Sequence, residues 1–226
     1  MVVFDLDDTL YKERDFVASS FRFIAREAER RGIISYEKAM TLLCGATDGA
    51  GAFSALARKI ASVAPGCGLT EEWMVNTYRS HQPDIKLPED AEEALCELHR
   101  KGIKLGLITD GRSNTQRAKI KALGLERFID PRNILISGET GFDKSNREPF
   151  ATMMERNPEE NGFVYVGDNP VKDFIWPNTL GWSTVQVDDA GGGNIHPQNV
   201  DRPASFLPRF HISSLRQLFS GDIPVV

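Results

Sequence analysis

Apolar and polar positions along this chain of 226 residues follow two rhythms. The run Val2-Val3-Phe4 is short and unbroken, which predicts a buried strand ending in the acidic cluster Asp5-Leu6-Asp7-Asp8-Thr9. From Asp15 the period becomes helical. Val17, Phe21, Ile24 and Ala28 are spaced four, three and four apart, and Gly32 marks the stop. Further helices are predicted near 36–44, 52–63 and 70–80, separated by Gly45 to Gly51 and by Pro65-Gly66-Cys67-Gly68.

After Pro83 strands and helices alternate. A helix from Glu89 carries Ala91, Ala94, Leu95 and Leu98 on one face. Strand-like runs follow at Ile103 to Thr109, Ile134 to Ser137, Phe163 to Gly167 and Ser183 to Val187, with helices near 113–123, 147–156 and 170–180. Such βα units imply a parallel sheet covered on both faces. The expected fold is therefore α/β: a Rossmann-like parallel-sheet core over 1–13 and 83–226, with a small all-helical domain, 14–82, inserted after the first strand. Gly191-Gly192-Gly193 reads as a flexible loop.

Composition narrows the partners. A net charge of -5 disfavours nucleic acid, so an anionic ligand needs a local cation, a metal or a helix N-terminus. Three widely spaced cysteines, Cys44, Cys67 and Cys96, suit neither a disulfide framework nor a zinc site. Charge interrupts the first apolar run too early for a signal peptide, and no run of 18 apolar residues occurs, so the expected setting is cytoplasmic, with no membrane association.

Carboxylates cluster at two strand ends: Asp5, Asp7 and Asp8 after the first, and Asp168 and Asp173 after the fourth. Ligands bind beyond the carboxyl ends of parallel strands where the strand order reverses, so the two clusters converge if these strands are neighbours. Like charges so close require a compensating cation, and hard oxygen ligands favour Mg²⁺. Taken singly, Asp8 or Asp173 reads equally as a helix cap or turn former. The second strand ends in Thr109-Asp110-Gly111, whose hydroxyl and backbone N–H groups form a candidate anion cradle, and Lys144 follows the third.

This order, Phe4-Asp5-Leu6-Asp7-Asp8-Thr9-Leu10-Tyr11, Thr109-Asp110-Gly111, Lys144, then Gly167-Asp168-Asn169-Pro170 with Asp173, resembles the haloacid dehalogenase-like hydrolase superfamily. The resemblance spans the core and implies a Mg²⁺-dependent phosphatase acting on a small phosphorylated metabolite, of the sugar phosphate or nucleoside monophosphate class, through an aspartyl-phosphate. It implies Asp5 as nucleophile and Asp7 as general acid/base; the Thr9 hydroxyl, two residues along the strand-end loop, is expected to orient Asp7. Thr109 and Lys144 would bind the phosphoryl group, helped by the backbone near Asp110 and Gly111. The metal would take Asp5, Asp168 and the carbonyl of Asp7, with Asp173 close to its water shell. The inserted helices would be the family's cap, with its loop Gly45 to Phe53 a place for specificity residues. Lys144 departs from the family pattern in being followed by Ser145 instead of proline, which leaves Arg147 and Lys119 as alternative cations; Lys119 lies before the third strand and reads as a surface residue.

A phosphomutase would share every motif. A 2-haloacid dehalogenase would not need Asp7, because no phosphate leaving group is protonated, and a phospho-receiver would need neither Asp7 nor the insertion. His81, His99, His196 and His211 show no ligand spacing and read as surface or loop residues, while Trp73, Trp176 and Trp182 read as packing residues.

Overall fold

The computed structural model describes residues 1–45 and 49–220. Among them the strands are β1 (Val2–Phe4), β2 (Leu105–Thr109), β3 (Ile134–Ile136), β4 (Val164–Gly167), β5 (Ser183–Val187) and β6 (Phe210–Ile212). The helices are α1 (Glu13–Arg30), α2 (Tyr36–Cys44), α3 (Gly49–Val63), α4 (Glu71–Ser80), α5 (Glu89–Arg100), α6 (Ser113–Ala122), α7 (Ser137–Thr140), α8 (Glu148–Arg156) and α9 (Ile175–Thr179). The strands form one parallel sheet in the order β3-β2-β1-β4-β5-β6.

This order reverses between β1 and β4, which pair with Phe4 opposite Val166. The residues that leave these strands, Asp5 and Asp168, therefore emerge side by side at the switch point. Every residue of β1, β2, β3 and β4 is buried, as continuous apolar strands covered on both faces require. On one face Val3, Ile108, Leu135 and Tyr165 pack with Phe150 and Met153 of α8 and with Trp182, which stacks on Phe163 at 4.7 Å between ring centroids.

The chain divides into two compact units, Met1–Arg14 with Lys86–Val226, and Asp15–Ile85. The second has its own core. Phe21, Ile24, Ala25 and Ala28 of α1 meet Leu43, Leu56, Ile60 and Met74. Fully buried side chains such as Ile24, Leu56 and Met74 each contribute about 1.5–3 kcal/mol relative to exposure. Gly32, at φ 69°, ends α1 in a conformation costly for residues with a Cβ. Among the described residues no helix is long and apolar enough to cross a membrane.

Several local expectations change. His81 is not a surface residue: its ring lies 3.2 Å from Ser19 Oγ and 3.1 Å from the Tyr78 carbonyl, beside Phe16. The strand expected through Ser137 ends at Ile136, where α7 begins. The helix expected over 170–180 is shorter, Ile175–Thr179, and is preceded by a turn in which Asp173 N–H donates to the Asn169 carbonyl. The edge strand β6 was not expected; its three residues are too few for a period to show. Within the Gly45 to Phe53 loop, residues 46–48 lie outside the described residues, and Phe53 is a core residue packed edge-on against Phe21.

Candidate active site

β1 delivers Asp5 buried and anchored, its N–H donating to the Val166 carbonyl at 2.8 Å. Beside it lies Lys144, 1 % exposed, with Nζ 2.8 Å from Asp5 Oδ1 and 2.6 Å from Asp173 Oδ1. Arg147 is exposed just before α8, so the buried cation beside Asp5 is Lys144. The missing proline does not divert this loop, since Lys144 N–H donates to Asp110 Oδ1 at 3.0 Å. Burial would suppress the ammonium, but Asp173 and Asp5 hold its pKa well above the ordinary lysine value.

Carboxylate oxygens of Asp5, Asp168 and Asp173 lie within 4.8 Å of one another, all buried. Burial is the largest influence on Asp5 and pushes it up to about 7; Lys144 opposes and Asp173 adds to the rise. Asp168 is pushed up to about 8 by burial, then by the charges of Asp5 and Asp173. Such strain is what a divalent cation relieves, and the all-oxygen donor set fits Mg²⁺. Asp173 thus joins the cluster directly, accepting from Asn169 N–H at 2.9 Å through its other oxygen. Gly167 permits this approach, since a Cβ there would sit 2.5 Å from Asp173 Oδ2.

Asp7 is held differently from expectation. Lys119, taken from the sequence as a surface residue, is buried and places Nζ 2.7 and 2.9 Å from the two Asp7 oxygens. The Tyr11 hydroxyl donates to Oδ1 at 2.5 Å and Gln116 Nε2 to Oδ2 at 2.9 Å. Burial works to raise Asp7, but Lys119 and these hydrogen bonds outweigh it and keep its pKa below the ordinary carboxylate value. Thr9 does not orient Asp7; its buried hydroxyl has no hydrogen-bond partner among the described residues. Asp8, at φ 57°, is a turn former, accepting from Glu13 N–H and Ile195 N–H.

A cavity of about 140 Å³ is lined by Asp5, Asp7, Thr109, Lys144 and Asp168, with Asp110, Glu13, Lys172 and His196 at hand. Gly111 is not among its lining residues, and its N–H donates to Ser137 Oγ at 2.9 Å, so the expected cradle there is already engaged. Lys172 pairs with Asp110 Oδ2 at 2.7 Å. Glu13 is pushed up to about 7 by burial and by the charge of Asp7. His196 follows the Gly191-Gly192-Gly193 stretch, in a segment where Asn194 Nδ2 donates to Asp168 Oδ2 at 3.1 Å. A wider groove of about 530 Å³ lies at the opposite strand ends, beside Lys104 and Asn133, without this convergence of carboxylates.

Gln116 and Lys172 escaped sequence reasoning, and Lys119 is set aside there as a surface residue although it is buried. One signal was available: Gln116, Lys119, Ile120 and Leu123 follow helical spacing, which puts the amide and ammonium on the side of α6 that carries Ile120.

The profile of the haloacid dehalogenase-like hydrolase family matches residues 2–187. The chain belongs to this family. It is 31% identical to the glyceraldehyde 3-phosphate phosphatase of Methanocaldococcus jannaschii, over 82% of this chain and 83% of the relative. It is 25% identical to the pyrimidine 5'-nucleotidase YjjG of Escherichia coli, over 96% and 95% of the two chains. Among solved folds, the L-2-haloacid dehalogenase of Xanthobacter autotrophicus superposes with a TM-score of 0.61 at 18% identity, covering 98% of each chain. This haloacid dehalogenase-like chain is a hydrolase of the phosphomonoester-cleaving kind that its relatives represent.

Proposed function

We propose that the protein is a Mg²⁺-dependent phosphatase that hydrolyses a small phosphomonoester, of the sugar phosphate or nucleoside monophosphate class, through an aspartyl-phosphate on Asp5. The observation that carries this reading is the buried Asp5 carboxylate paired with Lys144 and clustered with the carboxylates of Asp168 and Asp173. A carboxylate at the mouth of a small polar cavity is a nucleophile once a cation offsets the incoming charge. Mg²⁺ held by Asp5, Asp168 and Asp173 would supply that offset.

The chain's own residues supply the rest. Asp5 attacks phosphorus in line, forming one P–O bond while the bond to the leaving oxygen breaks and Asp7 donates a proton to that oxygen. Asp7 then takes a proton from water as the water attacks the phosphorus, the Asp5–phosphoryl bond breaks and phosphate leaves. Lys144 and the Thr109 hydroxyl hold the phosphoryl oxygens. An arriving phosphate dianion counteracts Lys119 and raises the pKa of Asp7, the direction that proton donation needs. Asp7 also separates this site from a dehalogenase, where no alkoxide requires a proton. The helical unit, Asp15–Ile85, fits the family's inserted cap, and the cavity suits a small ligand better than a phosphoprotein loop.

Hydrolysis of p-nitrophenyl phosphate should require Mg²⁺, vanish in EDTA and return on adding Mg²⁺. Asp5→Asn should abolish turnover, whereas Asp7→Asn should still form phospho-Asp5 but fail to turn over. Full activity without metal, or an Asp7→Asn variant as fast as the parent, would overturn the mechanism.

A further inference from the structure

We infer that Lys119 is the positioning residue for Asp7, working with Gln116 and Tyr11 as a clamp that fixes the acid/base carboxylate toward the leaving oxygen; the inference rests on the acid/base reading of Asp7. The Lys119 side chain is 4 % exposed, and its Nζ lies within hydrogen-bond distance of both Asp7 oxygens. Tyr11 and Gln116 each donate to one of those oxygens. Gln116 Nε2 also lies 3.1 Å from Thr109 Oγ1 and 2.5 Å from the Asp110 carbonyl. The clamp therefore ties Asp7 to the strand end that carries the phosphoryl-binding hydroxyl.

An aspartate in a strand-end loop has several accessible rotamers, and proton transfer works from only the one that meets the leaving oxygen. Donors on both oxygens remove that freedom before substrate arrives. A buried lysine is costly unless paired, and as a stabilising device a well-packed apolar residue would serve α6 as well or better. Lys119 gives the two hydrogen bonds named above to Asp7, the group assigned to protonate the leaving oxygen. Its effect should accordingly appear where protonation of the leaving group matters and be small where it does not.

The discriminating experiment measures kcat/KM of the Mg²⁺-loaded protein on an alkyl phosphate, a poor leaving group, and on p-nitrophenyl phosphate, a good one. Lys119→Met should lose about 10²-fold on the alkyl ester and less than about tenfold on the aryl ester, because general acid catalysis contributes on that scale. Lys119→Arg, which keeps a cation, should recover much of the alkyl activity. Should Lys119→Met not fold, Tyr11→Phe should show the same selective loss at smaller size. Equal losses on both esters, or no loss, would overturn the clamp and leave Lys119 a structural residue. If Asp7→Asn also lacked the leaving-group selectivity, the acid/base reading would have failed first; if Asp7→Asn showed it and the clamp variants did not, only the clamp would fall.

Discussion

Replacing Lys144 with methionine tests stability and activity at once. The side chain is fully buried between Asp5 and Asp173, at 2.8 and 2.6 Å, so the variant keeps the volume but strands two buried carboxylates. Removing one partner of a buried ion pair costs about 3–5 kcal/mol, and protonation of Asp5 places this case near the lower end. At about 2–4 °C per kcal/mol for a chain of this size, Lys144→Met should lower Tm by about 6–12 °C in EDTA. The sign of the pH dependence follows from Asp5, whose folded pKa of about 7 lies above its ordinary 3.8. Between those values the folded chain carries the extra proton, so stability falls as pH rises toward 7. Lys144 lowers Asp5, so losing it moves the carboxyl still higher and extends the decline. The gap between variant and parent should therefore be larger at pH 8 than at pH 5. Turnover should fall by about 10²-fold or more, as for other preorganised charges. Thermal unfolding at both pH values, with Arg147→Ala as an exposed comparator expected within about 0.5 kcal/mol of the parent, reads the outcome. A Lys144→Met variant as stable as the parent at pH 8 would refute the buried pairing on which these figures rest.

Mg²⁺ binding at pH 6 should release protons, because Asp168 at about 8 and Asp5 at about 7 are then largely neutral and a cation favours their ionised forms. Affinity should rise from pH 6 to 8 and then level; identical calorimetric enthalpies in buffers of different ionisation enthalpy would contradict this. Gly138→Ala should cost about 1–3 kcal/mol by overpacking, since its Cβ would meet the Gly111 carbonyl oxygen at 2.6 Å and Ser113 N at 2.8 Å, both backbone atoms that yield only if the loop after β2 moves. Unchanged thermal stability would show that the loop is looser than these distances state.

The sequence by itself determined where carboxylates meet apolar strands. Unbroken runs such as Val2 to Phe4 must be buried on both faces, and a buried parallel strand presents its next residues at the sheet's carboxyl edge, so Asp5, Thr109 and Asp168 were legible as a convergent set. The spacing of Phe21, Ile24 and Ala28 likewise revealed the packed face of α1. Tertiary structure decided which charges face which. Lys119 looks like any solvated lysine in a short helix, and its burial exists only because α6 follows β2 and brings its inward side against the loop after β1. Asp173, locally a turn residue, becomes a third clustered carboxylate because Gly167 leaves room for it and Lys144 reaches in from a loop 29 residues earlier. The physical reason is common to both. Burial and ion pairing depend on segments distant in the chain, whereas hydrophobic period reports only what neighbouring residues share.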